Sequence, residues 1–247
     1  MHLYIIRHAQ SANNELYATT GGSKGRQADP PLTELGHRQA QVLARALAAR
    51  PDGAALNRYA LRHDRGGYEL THLYSSLMVR AIVTGGYIAA TTGLPLQAWP
   101  EIHERGGLYD EAPETGEANL VAGAGRSFFA AEYPQLILPD TLGEEGWWNR
   151  PRELPEQWLP RAEAVWQELL ARHGGTDDRV GLVTHGGFFQ SFMAALVGRD
   201  APTVRPHLSA WWFSISNASI THLEIEERVS VRYVNKVDHL PDELLTG

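Results

Sequence analysis

Apolar residues open the chain in one short uninterrupted run, Leu3-Tyr4-Ile5-Ile6, closed by Arg7. A run of that length, rich in β-branched residues, reads as a buried strand. The polar, glycine-rich stretch from Gln10 to about Pro31 reads as a loop. Next, Ala40, Val42, Leu43, Ala46 and Leu47 form a helical stripe, with Thr33 as N-cap and Pro51 barring continuation. Residues 52–69 turn polar and read as a surface insertion or a ragged helix. Leu70 to Ser75 predicts a second strand, and Ser76 caps a helix from Leu77 to about Thr92 that Gly93 stops. Leu96 to Trp99 predicts a third short strand. Ala162, Val165, Trp166, Leu169 and Leu170 share one face of a helix expected from Pro160 to His173. Val180 to Thr184 predicts another buried strand, followed at once by His185-Gly186-Gly187 and a helix through Leu196. Three β-like runs, 211–216, 219–225 and 229–234, precede a short tail.

Strands alternating with helices argue for an α/β fold of three layers, α/β/α, around a mostly parallel central sheet. The closing strands add an antiparallel edge. The pattern predicts a single domain over 1–247, interrupted at about 105–158 by a segment rich in Gly, Pro and Trp. An irregular stretch of that length inside an α/β chain is expected to be a functional cover or lid. Trp147, Trp148 and Trp158 argue against disorder there.

Composition narrows the chemistry. The 247 residues are 43% hydrophobic and 21% charged, as in folded globular proteins. With no cysteine, disulfide scaffolds, thiolate zinc sites, iron–sulfur clusters and a cysteine nucleophile are excluded. The net charge of −7 argues against nucleic acid as a partner, and any anionic substrate must meet a local positive pocket. Arg7 interrupts the first apolar run before a signal-peptide core forms, and no stretch approaches the ~18 apolar residues of a membrane span. A cytoplasmic location without membrane partners is the expectation.

In open α/β sheets ligands bind at the carboxyl ends of the strands. Those ends carry Arg7-His8, Ser75-Ser76 with Arg80 one helical turn on, Glu101, His103 and Glu104, and His185-Gly186. Two guanidiniums match the oxygens of a phosphate. A neutral imidazole can attack phosphorus, and a second can donate to the transferring group. A protonated carboxyl can deliver a proton to the leaving oxygen. The helix after His185 presents free backbone N–H groups to an anion.

At these residues the chain resembles the histidine phosphatase superfamily, the phosphoglycerate-mutase-like family. Ile5-Ile6-Arg7-His8-Ala9 is similar to its opening strand and Arg-His-Gly. Asp29-Pro30-Pro31-Leu32-Thr33-Glu34-Leu35-Gly36 with Gln39-Ala40, Ser75-Ser76 with Arg80-Ala81, His103-Glu104-Arg105-Gly106-Gly107-Leu108 and Val183-Thr184-His185-Gly186-Gly187 resemble its later signatures, in the family's order. The resemblance implies that His8 is the nucleophile that becomes phosphohistidine. It implies that Arg7, Arg80 and His185 hold the phosphoryl group with Gly186 beside them, that Asn14 contacts phosphate, and that Glu104 donates the proton. It further implies a phosphatase acting on a small phosphorylated metabolite, with no metal and no other cofactor. Ala9 departs from the family's usual Gly and puts rate and pocket shape in question.

Several residues have a plainer reading. Arg172-His173-Gly174 repeats the Arg-His-Gly letters but ends a helix, where basic residues and Gly favour termination. Arg62-His63 follows no apolar strand and reads as a solvated face. Glu101 and Asp110 compete with Glu104, and Asn14 equally suits loop shaping. Thr20 to Gly25 lacks the phosphate-loop pattern and reads as a flexible loop. Trp147 and Trp148, with Arg150 and Arg152, line or anchor the lid, and anchoring is the expected role of the tryptophans. Three other activities stay open: a cofactor-dependent phosphoglycerate mutase, a catalytically idle module that binds phosphate esters, and a metal hydrolase, although no His-Glu-x-x-His spacing occurs. Substrate identity and a homo-oligomeric state are left open.

Overall fold

The computed structural model describes residues 1–50, 58–111, 118–197 and 212–247. The opening apolar run is strand β1 (His2–Arg7), which lies inside a seven-stranded sheet. On one side it pairs in parallel with β7 (Arg179–Thr184), followed outward by β2 (His72–Ser75), β3 (Leu96–Ala98) and β6 (Leu136–Ile137), all parallel. On the other side β8 (Ile220–Ile225) and β9 (Val229–Lys236) run antiparallel and form the edge. A separate antiparallel pair, β4 (Tyr109–Glu111) and β5 (Ala118–Leu120), stands apart.

The period-2 alternation of β1 decides the layers. Leu3 and Ile5 pack with Tyr74, Val180 and Leu182 on one face, and Tyr4 and Ile6 pack with Leu73 and Val183 on the other. Helices α6 (Pro155–His173) and α7 (Gly186–Val197) cover the first face through Leu169 and Phe188. Helices α2 (Glu34–Ala48) and α4 (Val79–Thr92) cover the second through Leu43 and Ile82. Both faces are therefore dry, which is why the strands are continuously apolar. Thr33 accepts the Gly36 N–H at 3.0 Å as the N-cap of α2, and Gly93 ends α4 in the left-handed conformation. No described helix is long and apolar enough to cross a membrane.

The structure differs from the pattern in several places. The stretch 10–31 contains helix α1 (Ala12–Thr20), which buries none of its residues and so leaves no apolar stripe. Its signal is at its ends: Ser11 and Asn14 form a capping box, and Gly21 is a left-handed C-cap. Helix α4 starts at Val79 rather than Leu77, and Ser76 does not cap it. Helix α6 starts at Pro155, since proline at the first helical position costs nothing there, and Pro160 lies inside it. Residues 212–216 form no strand. Their backbone bonds go to side chains instead: the Phe213 N–H donates to Gln190 Oε1 (3.1 Å) and the Ser216 N–H to Asn235 Oδ1 (2.6 Å); residue 211 lies outside the described residues.

The polar insertion is not merely a solvated face. Residues 51–57 lie outside the described residues, but the short helix α3 (Arg58–Arg62) leads to Asp64, which is buried. Asp64 accepts from Tyr4 Oη and Tyr233 Oη, each at 2.7 Å, and from Arg179 at 3.0 Å. Arg62 and His63 are exposed, as expected. Within 105–158, residues 112–117 lie outside the described residues. Helix α5 (Arg126–Glu132) and β6 join this segment to the body, and Trp147 and Trp148 are buried in the core.

Candidate active site

Strand register decides what meets at the carboxyl edge of the sheet. Arg7 stands opposite Thr184, and Ser75 opposite Val183. His8, Ser76 and His185 therefore leave three neighbouring strands at one level. A cavity of about 190 Å³ opens there, and Arg7, His8, Asn14, Arg80 and Glu104 all line it. His185 is fully buried and does not itself face the cavity.

His8 is 3% exposed. Its Nδ1 lies 2.7 Å from the Ala9 carbonyl, and its Nε2 lies 3.2 Å from Arg80 Nε. A carbonyl only accepts and a guanidinium only donates, so Nδ1 carries the proton and Nε2 keeps its lone pair. Burial, then the charges of Arg80 and Arg7, hold the His8 pKa well below the usual histidine value. Its ring centroid is 5.1 Å from that of His185, whose Nε2 pairs with Ser76 Oγ at 2.7 Å. His185 is likewise pushed well below the usual value, by burial first and Arg80 second. Both imidazoles are neutral at neutral pH.

The loop that carries His8 is held by residues far along the chain. Asn217 Nδ2 donates to the His8 carbonyl at 3.2 Å, the Ala9 N–H donates to Thr84 Oγ1 at 3.1 Å, and the Gln10 N–H donates to Gln39 Oε1 at 2.7 Å. Gly36 has to be glycine, because a Cβ there would sit 2.0 Å from the Gln10 carbonyl oxygen. The signature around Thr33 to Gly36 thus serves the loop after His8 rather than the cavity itself.

Arg80 is buried and Arg7 half-buried, each with few partners. Arg7 Nη1 donates to the Ile215 carbonyl at 2.5 Å. Arg80 Nη1 lies 3.7 Å from Asp29, which accepts the Val79 N–H at 3.0 Å at the start of α4. Burial raises the Asp29 carboxyl to about 6, against the pull of Arg80 and Val79. Arg7 Nε, Arg80 Nη1 and His185 Nδ1 are buried without a hydrogen-bond partner among the described residues. Buried polar atoms in native folds are normally satisfied, so three around one imidazole mark a place built to receive acceptors.

Glu104 and Asn14 sit differently from expectation. The Glu104 carboxylate accepts the Arg105 N–H at 2.7 Å, the Phe188 N–H at 2.9 Å and the Gly187 N–H at 3.1 Å. It therefore takes the first amides of α7, which the sequence offers to an anionic ligand. A Cβ at Gly187 would lie 2.2 Å from Glu104 Oε1, so glycine there is what lets the carboxylate dock. Gly186 backs Arg7, with an added Cβ 3.6 Å from Arg7 Nε. Asn14 Oδ1 is spent on Ser11 (2.9 and 3.0 Å) and Asn217 Nδ2 (3.2 Å), so the loop-shaping role is real. Of the rival carboxylates, Glu101 pairs with Arg150 at 3.6 Å and does not line the cavity; neither does Asp110.

Sequence reasoning missed Ser76, Thr84, Asn217 and Asp29 as supports. It also missed Arg26, Arg105 and Tyr109 on the cavity wall. Arg26 and Arg152 both stack on Tyr109, each guanidinium carbon 4.0 Å from the ring centroid. Four arginines thus line the cavity against one carboxylate, in a chain whose overall charge is negative.

The family model of the histidine phosphatase superfamily (branch 1) matches residues 3–236. The chain belongs to this superfamily. No curated protein matches the sequence. Among solved structures, the chain is similar to a mycobacterial glucosyl-3-phosphoglycerate phosphatase in complex with VO3 (20% identity, 96% of this chain and 99% of that one, TM-score 0.55). It is also similar to a phosphoserine phosphatase from Entamoeba histolytica in complex with 3-phosphoglyceric acid (17% identity, 97% and 99% covered, TM-score 0.55). A third is YhfR from Bacillus stearothermophilus (20% identity, 96% and 98% covered, TM-score 0.54). At these identities the likeness concerns the fold.

Ala9, the departure from the superfamily's usual Gly, is fully buried in the core, and its backbone is not left-handed. Its methyl group is packed without strain. Ala9→Gly is therefore expected to lower stability by roughly 1 kcal/mol and to leave the cavity unchanged; a rise in Tm would contradict this.

Burial keeps His8, His103 and His185 from taking protons in the folded chain. The unfolded chain binds them below pH about 6.5. Stability is thus fully present above that pH and lost on acidification, by about 1.4 kcal/mol per pH unit for each such histidine. Urea unfolding at pH 7, 6 and 5 should show this fall, and His8→Gln should flatten it by about 1.4 kcal/mol per pH unit. An unchanged slope would mean that His8 protonates in the folded state.

Proposed function

We propose that the chain is a phosphatase that hydrolyses a small phosphomonoester through a phosphohistidine at His8, without a metal. The observation that carries this reading is the neutral His8 imidazole, its Nε2 lone pair held by Arg80, beside three buried nitrogens with no partner. Phosphoryl transfer asks the protein mainly for positioning and charge stabilisation. Arg7 and Arg80 receive the phosphoryl oxygens, Arg80 Nε turning from the imidazole to the substrate, and the partnerless Nδ1 of His185, buried behind His8, is the third donor once the phosphoryl group seats against His8. The Nε2 lone pair then forms the P–N bond as the P–O bond to the leaving group breaks. Glu104, a carboxylate in the resting site, takes up a proton from solvent before this step and gives it to the leaving oxygen. Water attacks the phosphohistidine, its proton returns to Glu104, and the P–N electron pair returns to Nε2.

Arg26 and Arg105 on the cavity wall favour a substrate with a second anionic group. Two of the similar structures are phosphatases, of glucosyl-3-phosphoglycerate and of phosphoserine, which supports this class without fixing the substrate. In the same reading, the described part of segment 105–158 borders the cavity through Arg105, Gly107 and Tyr109 and acts as its cover, anchored by Trp147 and Trp148. The mutase alternative loses support at Gly187, where mutase-type members have Asn: a side chain there would displace Glu104. Ala9, buried in the core with a backbone that is not left-handed, lends no support to the idle-module alternative.

His8→Ala is expected to abolish both turnover of p-nitrophenyl phosphate and the acid-labile phosphoryl label on the protein. Arg80→Ala should lower kcat/KM by roughly 10²–10³-fold. With 3-phosphoglycerate, release of inorganic phosphate supports the phosphatase, and conversion to 2-phosphoglycerate the mutase. Turnover retained by His8→Ala would overturn the mechanism.

A further inference from the structure

At the other end of the sheet, His72 opens β2, His173 closes α6, and Asp178 immediately precedes β7. Since β2 and β7 are adjacent and parallel, with His72 opposite Val180, these residues gather at the amino edge. The six residues of β7 put them about 16 Å from the cavity end. Each offers one ligand atom, and the three atoms lie within 4.8 Å of one another.

We propose that His72, His173 and Asp178 form a binding site for a borderline divalent cation of the zinc class, completed by water, which clasps β2, α6 and the α6–β7 turn together. The donor set and its spacing carry this. A tetrahedral zinc ion with bonds of 2.0–2.1 Å needs its donors about 3.4 Å apart. Here the Asp178 carboxylate lies between the two imidazoles, with Oδ2 2.8 Å from His173 Nδ1 and Oδ1 3.9 Å from His72 Nδ1, spacings on either side of that value. Imidazole nitrogen and carboxylate oxygen suit zinc, and the chain has no thiolate to compete.

The surroundings fit the same reading. His173 is 3% exposed, whereas His72 and Asp178 are half-buried, so a cation has a way in. Tyr74 Oη lies 3.0 Å from His173 Nε2. A hydroxyl both donates and accepts, so it satisfies either tautomer. Without a cation, the Nδ1 proton bonds to Asp178 and Tyr74 donates to Nε2. With a cation on Nδ1, the proton resides on Nε2 and Tyr74 accepts it, the outer support that metal-bound histidines ordinarily have. Thr71 Oγ1, 2.9 Å from His72 Nδ1, gives way to the cation and turns to the Arg179 carbonyl, 3.4 Å away. The nearby Arg172 guanidinium is engaged by Glu168 and lies over the Trp99 ring. This assigns a place to the histidine of the second Arg-His-Gly, which the proposed reaction does not use.

The test uses the full chain, stripped with a chelator and then titrated with Zn²⁺ by calorimetry and with Co²⁺ by visible absorption. We expect one Zn²⁺ per chain at micromolar affinity or tighter, a tetrahedral Co²⁺ spectrum, and a Zn²⁺-dependent rise in Tm. His72→Ala and Asp178→Asn should each weaken binding by at least about tenfold with turnover of p-nitrophenyl phosphate unchanged, and His8→Ala should bind as the parent does. Asp178→Asn keeps the side-chain shape, so a folded variant is available if His72→Ala misfolds. Binding that survives both variants, binding lost in His8→Ala instead, or no binding at millimolar Zn²⁺ would overturn the proposal.

Discussion

The contact between Arg80 Nε and His8 Nε2 is the constraint on which the rest of the site depends. A guanidinium removed from water needs acceptors, and a full counter-ion beside it would compete with any anionic ligand. An imidazole nitrogen resolves this, because it accepts without carrying charge. The same contact acts on the imidazole in return. With Arg80 and Arg7 close and water excluded, protonation of His8 is opposed, and its lone pair is aimed at the cation that a phosphoryl group would displace. Asp29 balances part of the Arg80 charge from 3.7 Å, with a carboxyl raised to about 6. Around His8, the positive potential is therefore only partly cancelled.

Such an arrangement is costly and has to be imposed by the scaffold. The parallel register of β1, β7 and β2 sets the level at which the three strand ends meet. The loop after His8 is then fixed from three directions, by Thr84 on α4, Gln39 on α2 and Asn217 before β8. Gln39 and Asn217 are themselves tied to the end of the chain. Gln39 Nε2 donates to the Leu244 carbonyl at 2.7 Å and to Thr246 Oγ1 at 2.8 Å, and the Asn217 N–H donates to the Thr246 carbonyl at 2.8 Å. Residues 244 and 246 thus help to hold the loop that follows β1.

What the sequence made legible follows from what folding buries. The strands β1, β2, β3, β7 and β8 and the helices α2, α4, α6 and α7 bury apolar residues, so their pattern is readable, and Arg7, His8, Arg80 and Glu104 fall at one end of the sheet; β9, with no residue fully buried, is readable from its β-branched composition. Helix α1 buries nothing and left only its caps to read. The strand expected at 211–216 failed over 212–216 because apolar residues there are bonded through Gln190 and Asn235, a long-range arrangement with no local pattern. Ser76 looked like a helix cap, since hydroxyls before helices usually are, yet its partner His185 lies 109 positions away. Gly36 was legible as a letter of a signature; its reason, the approach of the Gln10 carbonyl, appears only in three dimensions.

Glu104 explains why the closing signature has the composition it does. The amino end of α7 attracts negative charge. With Gly at 187, a carboxylate of the same chain reaches it and takes the Gly187 and Phe188 amides. The helix end is then no longer free for an incoming anion, which is left to the arginine side of the cavity. Acid and cations are in this way separated: Glu104 is held by α7, and Arg80 is held by His8 and Asp29. Had Glu104 paired with Arg7 or Arg80 instead, it would have neutralised the cations and filled the arginine side of the cavity. The segment that delivers Glu104 is braced by the buried pair Arg161–Glu153 at 2.6 Å. Arg161 Nη1 bonds the Glu101 and His103 carbonyls, and Glu153 accepts the Gly106 N–H. A site with surplus positive charge needs its one carboxylate kept in place, and this bracing is how the chain does it.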